Sequence, residues 1–415
     1  MKQKLSGLFK SKYPKLQPLW FGLFTDILGF YIIIPLLPSI KETFNTDDIM
    51  MGLLVSINAI ISLFSAPIWG KLSDKFGRKY TLFTAESGTC LAFFILAFSN
   101  SLELLFISRI IDGMFGGNFP ITKAIISDRV PPKDRGTQMT NFGVVHTLSG
   151  LIGPGLGGIL AFIPIFGPNY PVALPGLCAA FLSLFTMVIT LFYLEESWSK
   201  TTRLKIEEEI KFKKHRKKKN KNDILYVLTQ YAFHTISFML YVGPLALFAG
   251  TIIGLDQIGV IIILEISGLS RAIVRFSLFK PTMKKLGEKK MTKLGLFFLV
   301  LSFIFVGIFG LFYPKAWIFI ILMVIISYGV SCSRGLLISK ATKTVSPDKM
   351  GIINGGTTTL DSIAQTLGPT LGTFLYLINP LYYGFTMAIF ASGALIMDFK
   401  NIVPLMEKKN DTNKN

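Results

Sequence analysis

The sequence predicts an all-α membrane protein: twelve transmembrane helices in two pseudo-symmetric six-helix halves. Three observations carry this: apolar runs of membrane-spanning length, an alternation of basic loops, and an internal repeat. Of the 415 residues 51% are hydrophobic and 16% charged, and the mean hydropathy is +0.54. A soluble domain carries about 25% charged residues. Roughly 20 apolar residues at about 1.5 Å each cross the hydrocarbon core. Such runs place spans at 18–40, 49–71, 80–99, 102–127, 137–163, 171–194, 223–249, 257–279, 291–312, 316–340, 351–377 and 380–399. The 37 Gly fit the same class, because small residues let helices approach closely in lipid. The Lys-rich start runs straight into a full-length span, so no cleavable signal peptide is expected.

The net charge of +19 resembles a nucleic-acid footprint until its distribution is read. Counted from the N-terminus, alternate loops with their span edges hold 36 of the 43 Lys and Arg. The opposite loops hold Lys41 and Lys315. This is the positive-inside pattern, and it predicts cytoplasmic termini and basic loops resting on anionic headgroups rather than on nucleic acid. The one Asn-x-Thr sequence, Asn410-Asp411-Thr412, falls in the cytoplasmic tail, which favours a prokaryotic plasma membrane. Cys90, Cys178 and Cys332 all lie inside spans and read as helix-packing residues.

The chain divides into a basic N-terminus (1–17), a first six-helix bundle (18–194), a charged linker (195–222), a second bundle (223–399) and a tail (400–415). The linker's Arg203–Phe212 stretch is a candidate helix on the membrane surface, as is the N-terminal segment with Leu5, Leu8 and Phe9 among lysines. The bundles repeat. A shift of 215 residues superposes Pro132 on Pro347, Gly153 on Gly368, Pro154 on Pro369 and Gly157 on Gly372. Shifts of 209 and 210 put Pro35 on Pro244 and Gly77 on Gly287. Parallel repeats imply an axis along the membrane normal and a site between the halves.

Four segments carry recognisable spacing: Asp26-x-x-Gly29-x-x-Ile32-x-x-Pro35-x-x-Pro38 in span 1, Gly70-x-Leu72-x-Asp74-x-x-Gly77-Arg78-Lys79 after span 2, Leu105-x-x-x-Arg109-x-x-Asp112-Gly113 in span 4, and Gly153-Pro154-x-x-Gly157-Gly158 in span 5. Together they resemble the major facilitator superfamily, and within it the twelve-span drug–proton antiporters that include tetracycline and multidrug exporters. The resemblance covers residues from about 18 to 398, densely in the first half. It implies the major facilitator fold and a cytoplasmic gate at Gly70, Asp74, Gly77, Arg78, Lys79 and Asp128. In that gate Arg78 is expected to pair with Asp128, and Asp74 to accept hydrogen bonds from the start of span 11 near Gly351. The glycines of span 5 imply a tightly packed, hinge-like helix, with Pro154 free to kink it. The chain departs from the family at Asp112, where Gln is usual, and at Ser149, where Gly is usual. Lys280 and Lys284 replace the Gly and Asp of the loop signature's second-half repeat, so an asymmetric latch is expected.

Intramembrane charges are the sharper clue, because each costs about 2.5–3.5 kcal/mol unless paired or hydrated. Asp26, Arg109 and Asp112 form the expected coupling cluster, with Glu86 as a lesser member. A carboxylate whose distance from Arg109 changes between two conformations would load and release a proton. His234, Glu265, Arg271, Arg334 and Asp361 are the cavity candidates of the second half. Lys123 and Arg275 read as snorkelling side chains, and His146 as an ordinary hydrogen-bonded one.

No Gly-rich nucleotide loop ending in Gly-Lys-Ser/Thr, no nucleophile elbow and no metal-ligand spacing occurs, so neither an enzyme nor a bound cofactor or metal is expected. The reading is a secondary transporter, a monomer that takes a small-molecule substrate and protons. A proton-coupled exporter of amphipathic or drug-like molecules comes first. The alternative is a symporter or uniporter for an organic anion or sugar, with Arg271 and Arg334 on the substrate.

Overall fold

A computed structural model describes residues 13–197, 221–343 and 350–399. The chain before residue 13, linker residues 198–220 with the expected surface helix, and the tail from 400 lie outside the described residues. Described residues form helices and connections with no strand. Twelve rods follow one another: α1 (Gln17–Thr43), α2 (Asp48–Phe76), α3 (Arg78–Ala97), α4 (Leu102–Met114 and Asn118–Arg129), α5 (Pro132–Ala161), α6 (Ala173–Tyr193), α7 (Lys221–Val242 and Leu245–Thr251), α8 (Gln257–Ile273, running on through a π-turn at Val274–Leu278), α9 (the part of Phe279–Phe312 beyond Gly287), α10 (Ala316–Lys343), α11 (Met350–Ile378) and α12 (Pro380–Phe399). Below, the terminal side is the membrane face where α1 begins and α12 ends, and the far side is the other.

Length and hydropathy alone pick out eight of these helices, or nine with the bent α7 pair. The remainder escape for stated reasons. α8 and α9 run together over Gln257–Phe312, which at about 1.5 Å per residue is far longer than a bilayer is thick. α4 is broken, and α11 carries Thr, Gly and Asp along its length. The loop expected at 280–290 is therefore a correction: its residues are helical on both sides of Gly287, whose φ of 73° is the one interruption. Gly77, its repeat partner, has φ 99°. Both positions require a left-handed backbone that only glycine adopts without strain.

Span 4 was expected to be continuous and is not. It breaks at Phe115–Gly117, directly after Asp112-Gly113. The carbonyls freed there are satisfied by α2: Ser65 Oγ donates to Gly113 O (2.6 Å) and Trp69 Nε1 to Met114 O (2.8 Å). Irregular backbone is tolerated in lipid where neighbours re-satisfy it. On the far side α1 tightens into a 3-10 turn at Ile34–Leu36, and α7 bends by 41° at Gly243-Pro244. Pro35 and Pro244, the superposed pair, sit at these two irregularities.

Glycines set the pairing of the rods. A methyl group at Gly157 would lie 2.1 Å from Ile32 O, and one at Gly372 2.7 Å from Leu240 O. So α5 packs on α1 as α11 packs on α7. Gly268 would meet Gly150 O at 2.5 Å, and Gly52 would meet Pro369 O at 3.2 Å. These contacts join α5 to α8 and α11 to α2 across the halves. One buried core runs through both halves at the far side, through Leu36, Leu37, Met51, Leu54, Leu245 and Leu247. Large apolar side chains such as Phe64, Phe192, Phe312 and Ile396 face outward, where lipid would cover them.

Candidate functional site

The break in α4 places the first cluster. Asp112 ends the first α4 helix and Asn118 opens the second. Asn118 Nδ2 donates to Asp26 Oδ1 of α1 at 3.3 Å. Asp112 Oδ2 accepts from Asn58 Nδ2 of α2 (2.7 Å) and from Arg109 Nη1 (3.3 Å). Arg109 is buried; its Nε and Nη2 donate to Ser108 Oγ at 3.3 and 3.1 Å, and its guanidinium lies 5.4 Å from the Phe93 ring centre. Asp26 is within electrostatic reach of both Asp112 and Arg109, yet among the described residues it makes no ion pair. Two carboxylates thus lie in the field of one guanidinium, which pairs with Asp112. Glu86 is packed between α1, α3 and α6. Thr190 Oγ1 donates to its Oε1 (3.0 Å), and its buried Oε2 has no partner among the described residues.

The second cluster is saturated. Asp361 Oδ1 of α11 accepts from Tyr231 Oη (2.9 Å), Thr235 Oγ1 (2.8 Å) and Arg334 Nη2 (3.1 Å). Arg334 also lies 5.9 Å from the Phe238 ring centre. Lys123 does not snorkel. It leaves α4, passes the Phe142 ring at 5.4 Å and donates to Thr358 Oγ1 of α11, one turn from Asp361. Arg275 packs on Gly143 of α5, where a methyl would sit 2.7 Å from its Nη2. His234 is fully buried; its Nε2 is 2.7 Å from Ser333 Oγ, and its Nδ1 has no partner among the described residues. Glu265 Oε1 accepts the Gly155 backbone N–H (2.5 Å) at the α5–α8 contact. Arg271 lies beside the same contact, at Gly150 and Tyr31.

On the terminal side Arg78 is buried and holds three groups: Asp74 Oδ1 (2.6 Å), Asp128 Oδ2 (3.1 Å) and Ser73 Oγ (2.6 Å). The expected Arg78–Asp128 pair is present. Asp74, however, is 57% exposed and makes no hydrogen bond to α11 among the described residues. Methyl groups at Gly70, Gly335 and Gly355 would meet nothing within 4 Å, so these faces of α2, α10 and α11 are open. Sequence reasoning missed Glu196. Its carboxylate accepts the backbone N–H groups of Arg78 (2.9 Å) and Lys79 (3.0 Å), capping α3 from 117 or more residues away. A methyl on Gly77 would strike it at 2.6 Å. The Glu195-Glu196 pair directly after span 6 was the available signal.

The far-side seal was also missed. Asp48, 3% exposed at the start of α2, accepts from Lys41 Nζ (2.7 Å), Thr251 Oγ1 of α7 (2.7 Å) and Tyr376 Oη of α11 (2.9 Å). Ser39 Oγ donates to Gln257 Oε1 (2.5 Å), and Thr370 Oγ1 to Ser56 Oγ (2.9 Å). These bonds tie the two halves together on the far side. Lys41, one of two basic residues in the sparse loops, was the clue. In the span 5 motif, Gly153 and Gly157 pack on α1 while Gly158 packs on Ile261 of α8, with Pro154 inside α5 between them. Among the described residues no group of three metal-ligating side chains converges.

The chain is 26% identical to multidrug resistance protein 2 of Bacillus subtilis (strain 168) over 404 residues, 94% of each chain. It is 23% identical to the class C tetracycline resistance protein of Escherichia coli over 365 residues, covering 85% of this chain and 87% of that one. Among solved structures it shares its fold with the human organic anion transporter MFSD10 (TM-score 0.72, 17% identity, 94% of this chain and 100% of that one). It shares it equally with a D-xylose-proton symporter (TM-score 0.72, 15% identity, 95% and 98%). The Major Facilitator Superfamily matches residues 19–369. With twelve helical rods among the described residues, in two repeated halves, and charged clusters inside the helices, the chain belongs to the major facilitator superfamily and is a multi-pass membrane transporter.

Proposed function

We propose that the protein is a proton-coupled antiporter that exports small amphipathic or drug-like molecules by alternating access. It works as a monomer in the cell membrane with both termini cytoplasmic. The 36-to-2 distribution of basic residues supports that orientation and sets the basic loops against anionic headgroups. The terminal side is then cytoplasmic, and the structure corresponds to a state closed toward the outside by the Asp48 seal. Similarity along nearly the whole chain to a relative named for multidrug resistance supports the substrate class.

The observation that carries the coupling is the shared guanidinium. Asp26 and Asp112 both sit beside Arg109, and in this state Arg109 reaches only Asp112 (3.3 Å). A shift of α1 against the broken α4 as the halves rock exchanges one carboxylate for the other at Arg109, and the displaced carboxylate takes a proton in place of its ion pair. Proton binding and conformation are then linked, which is what exchange transport requires. Inverted vesicles containing the protein and a pH dye test this. Adding tetracycline, ethidium or tetraphenylphosphonium to vesicles acidified inside is expected to release protons and load the compound. Compound uptake with an undisturbed proton gradient would refute the coupling.

A further inference from the structure

Arg271 is an intramembrane charge that neither cluster uses. It sits some fourteen residues into α8, about 21 Å from the far-side end at 1.5 Å per residue, and so deep within the span. Among the described residues its one hydrogen bond goes from Nε to Ser267 O of its own helix, at 3.3 Å, and no carboxylate is within ion-pair distance. Glu265, the acid on the same helix, is turned to the Gly155 N–H and is occupied there. Asp361 is taken by Tyr231, Thr235 and Arg334. A cation kept inside a membrane span without a counter-ion is costly, and such residues pair with a substrate or line its path.

The surroundings show what would pair with it. Span α5 has no side chain at Gly150, where a methyl would lie 3.2 Å from the Tyr31 ring and 3.4 Å from Arg271 Nη2. The guanidinium of the second half and the phenol of the first therefore face each other across that glycine. Tyr31 Oη lies 3.4 Å from His146 Nδ1, and the two rings pack edge to face at 5.5 Å. His146 lies in the combined field of Arg334, Arg271 and Arg275. The local balance is positive, with hydroxyl and imidazole groups beside an arginine fork that matches a carboxylate bidentately.

We propose that this seam between α1, α5 and α8 binds the carboxylate of an amphipathic organic acid. Arg271 holds the carboxylate, Tyr31 and His146 supply further polar contacts, and the Tyr31 ring packs on the acid's apolar body. The inference rests on the reading of the protein as a transporter and adds the substrate class. Because Arg271 belongs to one half and Tyr31 and His146 to the other, the bound acid bridges the halves that must move.

Naproxen and its methyl ester serve as probes, with affinity read by titration calorimetry on the purified protein. The wild-type chain is expected to bind the acid at least tenfold more tightly than the ester, a comparison that needs no variant. Arg271→Gln should abolish the preference, and Arg271→Lys should keep part of it, with melting temperatures recorded for each. Equal affinity for acid and ester in the wild type overturns the proposal, as does an undiminished preference in Arg271→Gln. The vesicle assay separates this from the antiport reading. Proton release with tetraphenylphosphonium but no acid preference leaves antiport standing and removes the carboxylate site. Acid preference with no proton release by any compound does the reverse.

Discussion

In the first half Arg109 stands beside two carboxylates and reaches one of them, Asp112, at 3.3 Å, while Asp26 is left to a single long hydrogen bond from Asn118 (3.3 Å). In the second half Arg334 meets Asp361 at 3.1 Å, and the same carboxylate takes two hydroxyls at 2.8 and 2.9 Å. Both clusters pair an arginine with an aspartate inside the helices, and each arginine lies near a phenylalanine ring. They differ in balance. The first has a carboxylate to spare, the second has every oxygen engaged. A group with spare capacity changes partner as the helices move, whereas a saturated one holds its neighbours in place. Under the proposed antiport mechanism, proton coupling belongs to the first half and structural cohesion to α7, α10 and α11.

The largest expected effect breaks the first cluster. Asp26→Asn should reduce substrate-driven proton flux in proteoliposomes at least a hundredfold, while substrate binding and melting temperature stay close to wild type. Arg109→Ala should damage coupling more than Arg109→Lys, since lysine keeps the charge but not the forked geometry. Full coupling in Asp26→Asn would transfer the role to Asp112. A static salt bridge holding α1 and α4 would instead lower the melting temperature and leave the flux per folded molecule intact.

Breaking the second cluster should act on stability. Asp361→Asn leaves Arg334 without its counter-ion, and with both side chains about a quarter exposed the loss is about 2–3 kcal/mol. Pairing it with Arg334→Gln should recover most of that loss, because no uncompensated charge then remains. Thermal unfolding in detergent measures both. A double variant no more stable than the single one would show that Arg334 has another anchor. The smallest effect sharpens the contrast: Thr235→Val removes one hydroxyl from Asp361 and should cost about 1 kcal/mol with proton stoichiometry unchanged. A changed stoichiometry in Thr235→Val would mean that the second cluster takes part in coupling.

The repeat was legible at particular residues. Gly77 and Gly287 superpose in sequence and share a positive φ. Gly153 and Gly157 pack on α1 as Gly368 and Gly372 pack on α7. Arg78 and Asp128, fifty residues apart, were paired from the loop signature and lie 3.1 Å apart. Glu196 on the start of α3, Lys123 on Thr358 and Asp48 under Tyr376 were not legible, because each joins helices whose separation in sequence carries no periodic trace. The break in α4 escaped for a related reason. Gly113, Gly116 and Gly117 permit it, but Ser65 and Trp69 of another helix make it affordable.

By itself the sequence determined the class and the internal symmetry, and the charge distribution along its loops. These depend on hydropathy and charge summed along one local segment, and a bilayer about 30 Å thick filters segments one at a time. The tertiary structure decided which of the second-half charges meet. Asp361 was one of several second-half candidates until Tyr231, Thr235 and Arg334 closed around it, and Arg271 was another until its lack of a carboxylate partner set it apart. Partners in a membrane core are chosen by which helix faces can approach within hydrogen-bond distance, and that is a property of packed rods rather than of any one of them.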